Sequence, residues 1–95
     1  MPNRAYLKGR SAEYRAIARL RRLNYICIRS AGSHGPADLI AASPDGERFV
    51  IQVKSGNAKP TQQERISLKF LASRFQARAE VWTFKKRQPL KVETL

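Results

Sequence analysis

The run from Asp38 to Ser55, DLIAASPDGERFVIQVKS, constrains the fold more than any other segment. ADLIAA and ERFVIQVK are rich in strand-forming residues, and SPDG (Ser43 to Gly46) carries Pro and Asp-Gly turn chemistry between them. The run predicts an antiparallel hairpin. Side chains alternate along a strand, so Gln52 and Lys54 share one face of FVIQVK while Phe49, Ile51 and Val53 share the other. So apolar a strand belongs in the centre of a sheet, where a glutamine and a lysine are costly unless they have partners. The hairpin brings Asp38, at the start of its first strand, close to Gln52 and Lys54 at the end of its second.

The rest of the 95-residue chain supplies what such a hairpin needs to be covered. RSAEYRAIARLRRL, Arg10 to Leu23, places Tyr14, Ile17, Ala18 and Leu20 on roughly one helical face, with a start near Gly9 or Ser11 and a stop at Asn24. YICIR (Tyr25 to Arg29) alternates like a strand. SAGSHGP (Ser30 to Pro36) and SGNAKP (Ser55 to Pro60) are loops. Thr61 opens a second helix, reaching about Arg74, and Glu64 three residues later completes a capping box. Ile66, Leu68, Phe70, Leu71 and Phe75 give that helix an apolar face. AEVWTFKK and LKVET read as further strands. The order α-β-β-β-α-β, with one strand more, predicts an α/β fold: a mixed central sheet flanked by helices, in a single domain spanning residues 1–95.

Nineteen Lys and Arg against seven Asp and Glu leave a formal net charge of +12. Charge of that density attracts polyanions, and phosphate contacts dominate nucleic-acid affinity. Arg4, Lys8, Arg10, Arg29, Lys59, Lys69, Arg74 and the Lys85-Lys86-Arg87 run are candidates for backbone contacts. No apolar run approaches the length of a membrane span, and MPNRAYLKGR lacks the apolar segment of a signal peptide. The single Cys27 leaves no intramolecular disulfide and reads as a small buried hydrophobe. An intracellular protein, cytoplasmic or nucleoid-associated (host cytoplasm if viral), is expected. Trp82 and Phe84 are expected to pack the sheet or a dimer interface.

The polar set on the hairpin suits phosphodiester hydrolysis. Magnesium prefers oxygen ligands and takes one or two carboxylates from the protein, with water and phosphate completing its shell. Asp38 offers a carboxylate, Gln52 an amide oxygen and Val53 a backbone carbonyl. Lys54 can orient or deprotonate an attacking water and stabilise developing charge. Glu13, the only acid in the first helix, has two readings. It is either a further carboxylate reaching the site or a charge placed to suit the helix dipole. His34, alone in a glycine-rich loop, is a candidate phosphate contact.

Three stretches, GRSAE (Gly9 to Glu13), RSAGSHGPAD (Arg29 to Asp38) and IQVKS (Ile51 to Ser55), together resemble the motifs of archaeal-type Holliday-junction resolvases. These belong to the PD-(D/E)XK nuclease superfamily. Pro36-Ala37-Asp38 stands where the family has an adjacent Pro-Asp pair. The resemblance implies a restriction-endonuclease-like fold and a Mg2+-dependent enzyme, with Mn2+ as a substitute. It also implies a homodimer that nicks opposing strands of branched, four-way DNA. Carried over by position, it places Glu13, Asp38, Gln52 and Lys54 at catalytic positions. Ser33, or alternatively Ser30, falls at the loop serine. Gln52 departs from the family's glutamate and is read as a variant ligand, its amide still offering one acceptor oxygen.

Other readings remain open on sequence alone. A nuclease of the same superfamily acting on flaps, ends or duplex fits the same residues. A non-catalytic nucleic-acid-binding module also fits, with Gln52 as the mark of a lost ligand, and a ribosomal RNA-binding protein leaves the convergent polar set unexplained.

Overall fold

A computed structural model describes residues 4–30 and 35–95, with side chains from Arg10 onward. Two helices and five strands follow in the order α1 (Arg4–Arg22), β1 (Ile26–Arg29), β2 (Leu39–Ala42), β3 (Arg48–Ser55), α2 (Gln62–Phe75), β4 (Arg78–Phe84) and β5 (Lys91–Thr94). The strands form one sheet in sequence order, β1-β2-β3-β4-β5. β1, β2 and β3 are antiparallel to one another. β3 and β4 run parallel, joined through α2, and β5 returns antiparallel on β4. The sheet is mixed, as expected, and β3 is its central strand.

The hairpin forms as its turn residues dictate. Gly46 adopts φ +89° and its N–H donates to the Ser43 carbonyl at 2.9 Å. Leu39 then pairs with Ile51 and Ile40 with Val50. Alternation sorts β3 into two cores. Phe49 and Ile51 pack under α1 with Leu20, Leu39, Trp82 and Phe84. Val50 packs under α2 with Leu68, Ala72, Ala79 and Val81. Trp82 and Phe84 are therefore core residues, while Cys27 is only half-buried at the edge of the first core.

Both helices differ from the sequence reading in an instructive way. α1 starts at Arg4 rather than near Gly9. Glycine inside a helix costs only about 1 kcal/mol relative to alanine, too little to stop it there. Asn24 does end the helix, at φ 64°, with the Tyr25 N–H on the Leu20 carbonyl and the Asn24 N–H on the Arg21 carbonyl. The buried stripe of α1 is Ala12, Ala16, Ile17 and Leu20, whereas Tyr14 and Ala18 face out. Small residues let the helix lie close to the sheet. On α2 only Leu68 and Ala72 are buried, and Ile66, Phe70 and Phe75 are exposed despite their helical spacing. α2 covers β3 and β4 but not β1 and β2. Ile26 and Ile28 are consequently open to solvent on the α2 side of the sheet. Among the described residues, no helix is long and apolar enough to cross a membrane.

Candidate active site

β3 runs toward the point where α2 begins, because a strand joined by a helix to a parallel neighbour brings the helix N-terminus back over the strand's carboxyl end. There an open hollow of about 460 Å³ is lined by Gly35, Pro36, Asp38, Gln52, Val53, Lys54, Thr61, Gln63, Glu64 and Ser67. Of the four described side chains assigned to catalytic positions, Asp38, Gln52 and Lys54 thus meet at one place.

Asp38 is held from both sides. Its N–H donates to the Ile51 carbonyl at 2.8 Å, and its carbonyl accepts from the Ser30 N–H at 2.9 Å. Its carboxylate Oδ2 accepts from the Val53 N–H at 2.8 Å, which satisfies a β3 donor beyond the end of the β2 ladder. Burial pushes the Asp38 carboxyl above its usual range. The Val53 N–H and the charge of Lys54 oppose that rise, and the charge of Glu64 adds to it.

Gln52 is 5% exposed. Its Nε2 donates to Glu64 Oε2 at 2.8 Å, and its Oε1 is buried with no hydrogen-bond partner among the described residues. A buried acceptor left unpaired costs about 1–3 kcal/mol. Lys54 Nζ lies 3.3 Å from the same Glu64 oxygen. The partners that these two polar groups required come from α2, not from the hairpin.

Glu64 was legible only as a capping residue. It does close the box: Glu64 Oε1 accepts from the Thr61 N–H at 2.8 Å, and Thr61 Oγ1 accepts from the Glu64 N–H at 3.0 Å. Its other oxygen serves Gln52 and Lys54. The Thr61 N–H lowers the Glu64 carboxyl below its usual range, with Lys54 and Gln52 adding to the effect against the cost of burial. The signal for a site role was topological. An acid in the first turn of a helix that follows a central strand and leads to a parallel one must sit above that strand's end.

Glu13 lies in the interior of α1, past the first turn, so the dipole reading of its charge does not apply. It stands outside the hollow and pairs with Arg29 at 3.6 Å. Burial raises its carboxyl, the charge of Asp38 raises it further, and Arg29 works against both. Glu13 and Glu64 thus approach Asp38 from the two opposite helix layers.

The candidate phosphate contacts divide by environment. Arg29 is engaged by Glu13, and its guanidinium lies 5.5 Å from the Tyr14 ring centre, as does that of Arg10. Arg10 also donates to Tyr14 Oη at 3.2 Å. Ser30 is half-buried beside Asp38. Lys59 is exposed and shares a second hollow with Lys85 and Lys91, next along the sheet edge from the first. Lys69 is exposed on α2, and Arg74 lies over the Phe70 ring at 5.1 Å. Ser33 and His34, and the side chains of Arg4 and Lys8, lie outside the described residues.

Oxygen donors dominate the hollow: the Asp38 and Glu64 carboxylates and the unpartnered Gln52 amide oxygen, with Val53 on its wall. Among the described residues no group of three or more His, Cys, Asp or Glu is placed to hold a metal ion. Two carboxylates and an amide in an open hollow fit magnesium, which keeps much of its shell for water and phosphate.

Neither a family model nor a curated protein matches the sequence. Among solved structures, the chain is similar to Archaeoglobus fulgidus Hjc, a Holliday junction resolvase from an archaeal hyperthermophile. The two share a TM-score of 0.78 and 25% sequence identity, over 90% of this chain and 76% of that one. The likeness to an archaeal-type resolvase thus extends over most of the chain. The five-stranded mixed sheet with its two helices is restriction-endonuclease-like, in agreement with the expectation from the motifs.

Proposed function

We propose that this protein is a metal-dependent, structure-selective DNA endonuclease that resolves four-way junctions by paired nicks. The observation that carries the reading is the meeting of Asp38, Gln52 and Lys54 in one hollow of a fold shared with an archaeal resolvase. Asp38, Gln52 through its free oxygen and Val53 through its carbonyl are the residues that would hold Mg2+ or Mn2+, with Glu13 as a supporting carboxylate. A bound divalent ion supplies an acidified water and neutralises charge on the phosphoryl oxygens. Lys54 presents its ammonium to the same space and stabilises the negative charge that develops as the phosphodiester is attacked. The net charge of +12 draws the DNA, and Lys59, Lys85 and Lys91 extend the basic surface beyond the hollow. Branched DNA is the proposed partner.

The homodimer belongs to the same reading. The exposed Ile26, Ile28 and Phe75 border an apolar depression with Ile40 and Ala77, on the part of the sheet that α2 leaves uncovered. A second copy of the chain seated there would bury it and supply the second nick.

The deciding experiment is cleavage of a synthetic four-way junction with and without Mg2+. Symmetric nicks on opposing strands that require the ion are expected, and Asp38→Asn should abolish them. Cutting that persists in that variant, or no cutting of any branched substrate with Mg2+ or Mn2+, would leave the proposal without support. Flap, duplex and single-stranded substrates run in parallel separate junction selectivity from general nuclease activity.

A further inference from the structure

We infer that Glu64, on the first turn of α2, supplies the second carboxylate of the cation site, replacing from the helix the charge that Gln52 lacks on the strand. The inference rests on the metal-dependent reading above and assigns a further residue to that site. Three observations carry it. Glu64 Oε2 lies 2.8 Å from Gln52 Nε2, so its charge stands next to the amide group. The Gln52 Oε1 atom is buried and, among the described residues, unpartnered, leaving an oxygen donor of the same side chain for an electropositive ligand. Glu64 lines the same hollow as Asp38, Gln52 and Lys54.

Capping alone does not account for this arrangement. The capping box uses Glu64 Oε1, and a glutamine at that position closes such a box as well. The second oxygen turns inward to Gln52 and Lys54. Three hydrogen bonds take three of the roughly four acceptor positions of the carboxylate, two on Oε2 and one on Oε1, so the position that remains for a cation or its water is on Oε1. The pair then works as a unit, in which Gln52 gives the amide oxygen and orients the glutamate that gives the charge.

The test is a relocation of the charge, read by Mn2+ binding to the free protein in electron paramagnetic resonance titrations. Glu64→Gln keeps the capping box and should keep the fold, while Mn2+ affinity falls by about 10–100-fold. Adding Gln52→Glu to that variant returns the carboxylate to β3 and should restore the affinity. Unchanged Mn2+ affinity in Glu64→Gln, no Mn2+ binding by the wild type, or a double variant as weak as the single one would each overturn the inference. If Glu64→Gln does not fold, the double variant decides alone: wild-type affinity supports the inference and absent binding refutes it. The readout also separates this inference from the function it rests on. A protein that binds Mn2+ through Glu64 yet cuts no junction retains the site and loses the activity. One that cuts junctions and binds Mn2+ equally well after Glu64→Gln retains the activity and loses this assignment.

Discussion

With Leu71 partly buried beside it, Leu68 is the large side chain that seats α2 most deeply on the sheet. It is fully buried, and its neighbours in the same core are Ala37, Val50, Ala72, Ala79 and Val81. Leu68→Ala removes three carbon groups from this small core. At about 0.8 kcal/mol each the lost transfer energy is about 2.4 kcal/mol. Small, rigid neighbours collapse poorly, so a residual cavity adds about 1–1.5 kcal/mol at ~24 cal/mol per Å3. A loss of about 3–4 kcal/mol is a large share of the roughly 5–14 kcal/mol available to a chain of this length. It should lower Tm by about 12–30 °C. Urea unfolding followed by the fluorescence of Trp82, the only tryptophan, reports the change from the opposite core. Far-UV circular dichroism should give the same midpoint if unfolding is two-state. Ile66→Ala is the control, since Ile66 is 52% exposed and its removal should stay within about 0.5 kcal/mol. A Leu68→Ala loss below about 1 kcal/mol would refute the claim that this side chain anchors α2.

Glu13→Gln tests the electrostatics behind the hollow: a carboxyl raised in the folded state contributes stability that is complete below its unfolded value near 4.5 and lost as pH rises through the folded one. The variant should therefore gain in stability relative to wild type between pH 4 and pH 7, measured as urea midpoints, and a difference that shrinks with pH would contradict the desolvated environment of Glu13. Ile28→Glu should turn the proposed dimer into a monomer in sedimentation velocity while leaving the fold intact, because a charge there opposes burial of the open sheet face. Junction affinity should fall steeply with salt, by about 100-fold or more between 50 and 200 mM if at least four or so phosphates are contacted, and a flat dependence in filter binding would argue against an electrostatic DNA surface.

What the sequence disclosed depended on whether the signal was local. The hairpin was legible because Pro44, Asp45 and Gly46 set the turn, and alternation then fixed which β3 residues face which core. The capping box at Thr61 and Glu64 was legible for the same reason. Helical periodicity identified the apolar residues of α2 but did not reveal what covers them. Ile66, Phe70 and Phe75 look like core in sequence, yet of the α2 residues only Leu68 and Ala72 are buried, with Leu71 partly buried against the same core. Tyr14 misled similarly, since Arg10 and Arg29 flank its ring where burial was expected. Asp38, Gln52 and Lys54 could be brought together by register alone. Their relation to Glu64 required knowing that β3 and β4 run parallel.

The position of the charge changes how the site depends on the fold. A carboxylate at position 52 would be located by the central strand, whose backbone is bonded to neighbours on both sides. A carboxylate at position 64 is located by the first turn of α2, and hence by two devices: the Thr61 cap at the helix start and the Leu68 anchor one turn further on. Cation affinity then becomes coupled to the docking of one helix as well as to the sheet. Leu68→Ala should lower Mn2+ affinity even under conditions where the protein stays folded, although Leu68 touches no ligand. Charge on the strand, restored by Gln52→Glu in the Glu64→Gln background, should remove that sensitivity. The two cores under the two helices are therefore not equivalent: both flank Asp38, through Leu39 in one and Ala37 in the other, but only the α2 core sets how firmly Glu64 is presented.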